Sequence, residues 1–463
     1  MFLESLSKNK SNFFWAVFHC VLGFVCTFTP FALVGWFYLI LLFNFNKTLH
    51  LLKNRNPIYF FYLFSYLISF EVLVRMAKTS PFIPYELGKY LLVLMGIIGL
   101  IVIGVRSQKG IWMAFLVTPA LFYDFSEQRV YFDIINYYLA PLAVGLGLAF
   151  SNRLKINLGD LNQILKLIWL GCLSGLVFSF IKTPDLDEIQ FGLTANFATT
   201  AGHSSNQVST ILGLGMFLSF YSLINNLNYS GRRVYDIAIL IGFTFQGLLT
   251  FSRGGMMVGA LGILILLLYS EKSSVKSQNG FSSKTIIFGF ISIFLLYGVF
   301  EIANNITGGN LLLRYQGETE GTLRGSKEVT ADHFVTGRIG IFEKDVALWM
   351  DNFFSGVGCG SSRYLRDLDK VGVAPHVELS RLLAEHGLLG LCYAMLFIFL
   401  PVKSWQDNKY KSGRIILLVL LLIAISTTFH AAMRTFVTPL FIILGSLSIK
   451  DERLKSKIIG SEK

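Results

Sequence analysis

The sequence predicts an all-α polytopic membrane protein with 12–14 transmembrane helices and one large extracytoplasmic loop. Of its 463 residues, 53% are hydrophobic and 15% are charged, whereas about 25% are charged in a typical soluble domain. The mean hydropathy is +0.59. Long apolar runs recur throughout, except in an 85-residue segment, residues 303–387, which we call the island. The net charge of +12 is explained by lysines and arginines in cytoplasmic loops rather than by nucleic-acid binding.

A helix that crosses the hydrocarbon core of a bilayer needs about 20 mostly apolar residues. Fourteen segments are candidates, and three short ones among them give the range of 12–14. The first two helices are predicted from one apolar run that is too long for a signal peptide and turns near Pro30. The fourteen spans are expected to begin near Phe13, Phe31, Ile58, Tyr90, Ile111, Tyr131, Leu161, Gln207, Asp236, Met256, Thr285, Leu388, Ile415 and Thr435.

The distribution of basic residues predicts the orientation. If the N-terminus is inside, the inner segments hold most lysines and arginines, and the short outer loops hold few, among them Arg75, Arg253 and Arg434. This asymmetry places both termini in the cytoplasm and the island outside. We therefore expect transmembrane helices with short loops over residues 1–302, an extracytoplasmic loop over 303–387, and C-terminal helices with a basic cytoplasmic tail over 388–463.

Arg253 lies at the outer mouth of an apolar hairpin and is followed by Gly254 and Gly255. An arginine at a membrane boundary often only extends its charged end toward the headgroups. The two glycines, however, allow backbone or ligand to approach closely. The position therefore indicates a ligand-binding arginine.

His376 is the strongest candidate for catalysis in the island. It precedes a run of leucines at helical spacing, and Glu378 and Glu385 follow within it. A histidine near neutral pH accepts a proton from a hydroxyl, and a nearby carboxylate orients it and raises its basicity. The glycines at 356, 358 and 360 predict a tight turn, because no βαβ context supports a dinucleotide fingerprint. Five cysteines without paired spacing predict neither a disulfide framework nor a zinc site.

An ordered set of motifs over roughly residues 207–399 resembles the O-antigen ligase and Wzy-type O-antigen polymerase superfamily. One position departs from the family pattern, because Val377 follows the histidine where members commonly have asparagine. The matching motifs are Ser252-Arg253-Gly254, Gly337-Arg338, Trp349, Gly356-Val-Gly358, His376 and Glu385-His386-Gly387.

The resemblance implies a GT-C-like membrane glycosyltransferase of polysaccharide or lipopolysaccharide biosynthesis. The donor is expected to be a glycan on undecaprenyl diphosphate, transferred on the outer face of the bacterial inner (cytoplasmic) membrane. The acceptor is lipid A–core in a ligase and a second lipid-linked glycan in a polymerase, and the sequence leaves both open. No metal or other cofactor is expected. Diphosphate is bound bidentately by arginines, so Arg253 and Arg338 are the diphosphate-binding candidates and His376 is the candidate base, supported by Glu378 or Glu385.

Two other classes of function remain open at this point. A transporter would place ionisable residues within its helices, and Glu71 with Arg75 one turn later is the clearest such pair. A non-catalytic envelope assembly protein would have no need to bring Arg253, Arg338 and His376 together.

We expect the island and the Arg232-Arg233 loop to lie on opposite sides of the membrane, because the basic residues are concentrated on one side. Single cysteines at Thr322 and at Arg232 in a cysteine-free background test this with an impermeant thiol reagent. Intact cells should be labelled at position 322 only. Labelling of position 322 solely from the cytoplasmic side would contradict the predicted orientation.

Overall fold

The computed structural model describes residues 11–53, 58–273, 283–326, 328, 330–366, 372 and 376–450. Over these residues the chain forms a helical bundle. The two ends, residues 1–10 and 451–463, lie outside the described residues, and so does the orientation predicted for them.

The helices follow one another in chain order. They are α1 Asn12–Cys26, α2 Phe31–Lys53, α3 Ile58–Ser69, α4 Glu71–Met76, α5 Leu87–Val102, α6 Gln108–Leu116, α7 Tyr131–Ser151, α8 Leu158–Lys182, α9 Ser205–Ile224, α10 Arg233–Leu249, α11 Arg253–Ser273, α12 Ser283–Ile306, α13 Asn310–Tyr315, α14 Glu320–Leu323, α15 Ala331–Phe334, α16 Arg338–Asp351, α17 Ser362–Leu365, α18 Glu378–Gln406, α19 Lys411–Thr428 and α20 Val437–Gly445. Short 3₁₀ turns lie at Pro119–Leu121, Leu186–Glu188 and Ala198–Thr200.

Five helical segments of the described chain are long and apolar enough to cross a membrane. They are Ile58–Met76, Tyr131–Ser151, Leu158–Lys182, Ser205–Ile224 and Glu378–Gln406. All fourteen predicted starts fall inside a helix or within two residues of one. Helices α6 and α20 have nine residues each, about 14 Å of rise. Neither can span a hydrocarbon core of about 30 Å alone.

Close helix packing fixes the start of α11. A Cβ atom built on Gly213 of α9 would overlap the carbonyl oxygen of Gly255 in α11, so the two backbones are in direct contact. Small residues permit this approach between helices, and such packing drives association where lipid removes the hydrophobic driving force. Arg253 begins α11 and is therefore held at a defined position in the bundle.

One short sheet departs from an otherwise helical fold. Strand β1, Lys155–Asn157, pairs in parallel with β2, Ser448–Lys450, with Ile156 opposite Ile449. The pair joins the beginning of α8 to the end of α20. It therefore ties two segments that are almost 300 residues apart in the chain.

The island contains short helices rather than a continuous domain. It begins within the last turn of α12, continues through α13–α17 and ends within α18. Helix α18 begins at Glu378, ten residues before the predicted start at Leu388. Gly387 has φ 59° and ψ −133°, which divides α18 at that point. The apolar helix after this kink begins where the sequence predicts it.

Candidate functional site

Four arginines from separate segments converge where the island meets the bundle. Arg253 begins α11, Arg314 lies in α13, Arg338 begins α16, and Arg434 lies in the loop between α19 and α20. We call the four the arginine cluster and residues 429–436 the return loop. The cluster is close enough for its charges to act on one another: Arg253 and Arg338 both act on Arg314, and Arg434 acts on Arg338.

Arg253 holds two parts of the island. It is only 4% exposed. One terminal nitrogen, Nη1, donates to the carbonyl oxygen of Arg314 at 2.7 Å, and Nη2 donates to the carbonyl oxygen of His333 at 2.7 Å and to Oγ1 of Thr336 at 3.0 Å. The guanidinium therefore ties α13 and the end of α15 to the start of α11.

Arg338 joins the island to the return loop. Its Nη1 donates to the carbonyl oxygen of Val335 at 2.8 Å and its Nη2 to that of His430 at 3.5 Å. The Nε atoms of Arg253, Arg314 and Arg338 are buried and have no hydrogen-bond partner in the described part of the chain. Buried donors are normally satisfied, so these three N–H groups are available to a ligand that accepts hydrogen bonds.

Arg253, Arg314 and Arg338 are three positive charges that lie close to one another. Within the described residues no carboxylate is paired with Arg253, Arg314 or Arg338. Burial, followed by the charges of Arg253 and Arg338, lowers the pKa of Arg314 to about 10. Burial, followed by the charges of Arg253 and Arg434, lowers the pKa of Arg338 to about 10. Both side chains still carry their charge near neutral pH, and a bound anion would relieve their repulsion.

His376 lies beside this cluster, immediately before α18. It is partly buried, and its Nδ1 has no hydrogen-bond partner among the described residues. Burial lowers the pKa of its imidazole well below 6.5, and the charges of Arg434 and Arg338 lower it further. The ring is therefore neutral at physiological pH and able to accept a proton. Burial is the main reason for this low pKa, and the neighbouring arginines add to it.

The two carboxylates predicted to support His376 bind an arginine instead. Arg381 is fully buried and pairs with Glu378 on one side and Glu385 on the other, at spacings of three and four residues along α18. Glu385 also accepts a hydrogen bond from Oγ of Ser362 at 2.8 Å. In the described structure neither carboxylate bonds the His376 ring, because both are held inward by Arg381. Any support they give to His376 acts through the position of α18.

The return loop is held from two sides. Glu378 accepts a hydrogen bond from the backbone N–H of Met433 at 3.3 Å. On the other side Glu71 accepts from the N–H of Phe436 at 2.7 Å, and Arg75 donates to the carbonyl oxygen of Arg434 at 2.8 Å. Two buried charged residues of α4 and one of α18 thus position the backbone that carries Arg434.

The Glu71–Arg75 pair that the sequence suggested is part of a larger buried network. Arg75 bonds Glu71 at 2.7 Å and Glu86 at 2.9 Å, and Lys89 bonds Glu86 at 2.8 Å. Gln207 accepts a further hydrogen bond from Arg75 at 2.6 Å. The two carboxylates and the two basic side chains balance in charge, so each charged group of the network has its counter-ion within the network.

An apolar groove of about 380 Å³ opens next to the arginine cluster. Arg338 and His430 supply two polar side chains at its wall, and Ser426 a third. The remaining lining is mostly apolar and comes from α11, the residue after α15, α16, the residue before α18 and the residue after α19: Gly254, Met257, Val258, Val335, Ile339, Phe342, Val377 and Phe429. The groove therefore offers one surface to a hydrocarbon chain and another to an anion.

The structure brings three of the five predicted site residues together, namely Arg253, Arg338 and His376. It separates Glu378 and Glu385 from them by pairing both with Arg381. Arg314 and Arg434 were missed as site residues. Arg434 had a usable signal, because it is a lone arginine between apolar segments at a predicted outer boundary. Arg314 had none, since its approach to Arg253 depends on the path of the island.

One further group of potential ligands lies on the kinked part of α18. Cys359, Glu385 and His386 are buried and could hold a metal ion.

Comparison of the chain with protein-family models, curated proteins and solved structures finds no match.

Replacing Arg381 with leucine should destabilise the protein strongly, because Glu378 and Glu385 would be left buried without a counter-ion. Breaking a buried ion pair on one side typically costs about 3–5 kcal/mol. Arg324→Leu is the matched control, since Arg324 and Glu320 form an exposed pair worth about 0–1 kcal/mol. Thermal unfolding in detergent measures both variants. Equal melting temperatures for Arg381→Leu and Arg324→Leu would contradict this account of Arg381.

Proposed function

We propose that this protein transfers a glycan from a polyprenyl-diphosphate donor to an acceptor hydroxyl at the surface formed by the island and the return loop. The observation that carries the proposal is the unpartnered Nε–H groups of Arg253, Arg314 and Arg338 beside an apolar groove. A ligand suited to this arrangement has a compact anionic group joined to a hydrocarbon chain. A lipid-linked diphosphate has both parts, and diphosphate is also a good leaving group.

The arginines contribute to diphosphate binding in two ways, by direct contact with the diphosphate and by positioning the segments that carry the contacting side chains. Arg338 and Arg314 each supply a charge and an unpartnered N–H donor, and Arg338 lies at the wall of the groove. Arg253 adds its charge and holds the segments that carry the other two, because both of its terminal nitrogens are bonded to the island. Guanidinium groups are suited to diphosphate because their planar fork binds two oxygens at once.

His376 is the base in this mechanism. The acceptor oxygen attacks the anomeric carbon, and its proton passes to the neutral imidazole. The bond between the anomeric carbon and the diphosphate oxygen breaks, and the lipid diphosphate leaves with the electron pair. The arginines stabilise the negative charge that develops on the leaving group. No step requires a metal or another cofactor.

The acceptor decides between two activities. Transfer to lipid A–core makes the protein an O-antigen ligase, and transfer to a second lipid-linked repeat unit makes it a polymerase. The proposed location is the bacterial cytoplasmic membrane, with the island on the outer side. Purified protein is supplied with lipid-linked repeat units alone to distinguish the two activities. A polymerase then makes glycans of many lengths, whereas a ligase makes no product until lipid A–core is added.

The charged residues within the helices do not favour transport. Glu71, Arg75, Glu86 and Lys89 form a balanced, buried set. Glu71 and Arg75 also bond backbone atoms of the return loop. Groups used in this way hold the loop in place, whereas a proton or ion path needs groups that are free to change partners.

Arg338→Lys should lower the transfer rate and weaken donor binding, because lysine keeps the charge but loses the fork. Arg253→Lys should lower it as well, with the added loss of the bonds to Arg314 and His333. Arg324→Lys, at an exposed island arginine, is the control and should leave the rate unchanged. Initial rates at several donor concentrations provide the measurement. Wild-type kinetics in both Arg253→Lys and Arg338→Lys would exclude them from diphosphate binding.

His376→Ala should reduce the rate by roughly 10²–10⁴-fold while donor binding persists, because the arginines hold the diphosphate separately. His376→Gln should be equally slow, since glutamine cannot take the proton. His333→Ala is the control, because Arg253 uses only the main-chain carbonyl of that residue. An active His376→Gln variant would rule out the base role.

The rate of the wild-type protein should stay level as the pH falls through 6.5 and decline only below it. The reason is that burial and the arginine charges lower the pKa of His376, and the imidazole must be neutral to act. Bound diphosphate offsets those charges, so the decline in kcat should lie at higher pH than the decline in kcat/KM for the donor. Half-maximal kcat/KM at or above pH 6.5 would contradict this assignment.

A further inference from the structure

A glycine-rich turn of the island lies directly on the kink of α18. The backbone N–H of Val357 donates to the carbonyl oxygen of Ala384 at 2.9 Å, and that of Gly358 donates to the carbonyl oxygen of Glu385 at 3.1 Å. A Cβ atom on Gly356 would lie 2.5 Å from the backbone of Glu385, so a larger residue cannot be accommodated there. This close contact brings Cys359, the residue after Gly358, against α18.

Three side chains of different chemistry meet at this contact. The Sγ atom of Cys359, a carboxylate oxygen of Glu385 and a ring nitrogen of His386 all lie within 4.8 Å of one another. Cys359 and Glu385 are fully buried, and His386 is 1% exposed. The hydrogen bonds of Arg253 and Arg338 go to other residues than these three.

His386 has an unusual environment. Neither of its ring nitrogens has a hydrogen-bond partner among the described residues, although both are buried. A neutral imidazole carries one N–H donor and one acceptor nitrogen, and leaving such groups buried without partners costs about 1–3 kcal/mol each. An acceptor nitrogen that points toward a thiol and a carboxylate is suited to bind a cation.

We propose that Cys359, Glu385 and His386 bind a zinc ion. Sulfur, nitrogen and oxygen ligands of this kind are typical of zinc, at about 2.3 Å for sulfur and 2.0–2.2 Å for the others. Tetrahedral geometry then sets the ligands roughly 3.5 Å apart, which the three side chains reach by small rotations from their present separation. The fourth position is left for water.

The charges also balance. A cysteine thiolate and the Glu385 carboxylate supply two negative charges for the divalent ion, and binding displaces the thiol proton. Glu385 already accepts bonds from Arg381, from Ser362 and from the backbone N–H of Gly360. A carboxylate has about four lone-pair sites on its two oxygens, so it retains capacity for the metal.

The ion would act as a structural cross-link. It joins the glycine-rich turn to α18 on the same helix that carries Glu378 and follows His376. This inference does not depend on glycan transfer, because no ligand of the ion is assigned a role in the reaction.

Zinc content of the full-length protein tests the proposal. Protein purified in detergent and dialysed against a weak chelator should retain about one zinc per chain. Cys359→Ser and His386→Ala should each reduce this content at least fivefold. Cys392→Ser in the same helix and His203→Ala outside it are the controls and should retain the metal. Elemental analysis of a wild-type protein without zinc would overturn the proposal and leave a water-filled or unpaired site.

Two further measurements separate metal loss from misfolding. Cobalt added to the metal-free protein should give a thiolate-to-cobalt charge-transfer band that Cys359→Ser lacks. His386→Cys should restore zinc binding that His386→Ala loses, because a thiolate replaces the imidazole ligand. Absence of the cobalt band in wild-type protein, or equal zinc in His386→Ala and His386→Cys, would overturn the assignment.

Discussion

The site depends on buried carboxylates that hold the return loop from opposite sides. Glu378 binds the N–H of Met433, and Glu71 binds that of Phe436, three residues further on. Each carboxylate is itself bound by an arginine, Arg381 or Arg75. Because the cost of burying an unpaired charge is several kcal/mol, each carboxylate depends on its arginine, and the loop depends on both. Arg434 and His430 owe their positions to these two supports.

The same constraint explains how like charges can be kept close together. Two guanidinium groups of the arginine cluster are held by backbone carbonyl oxygens, Arg253 by those of Arg314 and His333 and Arg338 by those of Val335 and His430. Carbonyl dipoles stabilise a cation without neutralising it, so the repulsion among the arginines persists. If the cluster binds an anionic substrate, as proposed, that substrate adds negative charge beside the arginines and strengthens the packing of the island against the bundle.

The sequence predicted the positions of the helices better than it predicted which side chains contact one another. Helices were found at all fourteen expected places because apolar runs and their interruptions are local features. The motifs that include Arg253, Arg338 and His376 also identified residues that converge. The pairing of Glu378 and Glu385 with Arg381 was not foreseen, although the three- and four-residue spacings around Arg381 give a helical ion-pair signal that could have been used. Arg314 could not have been found, since only the folded island brings it to Arg253.

The kink at Gly387 has a consequence for the order in which the protein is assembled in the membrane. Before the kink, α18 carries Glu378, Arg381 and Glu385, and after it the helix is apolar as far as Lys403. Charged residues disfavour entry into the bilayer, so the inserting unit is the apolar part alone. The ion pairs of Arg381 with Glu378 and Glu385 lie within this first part and need no later segment. The hydrogen bond from the N–H of Met433 to Glu378 needs the return loop. It can form only after that loop has been synthesised, which makes completion of the site a late event in biogenesis.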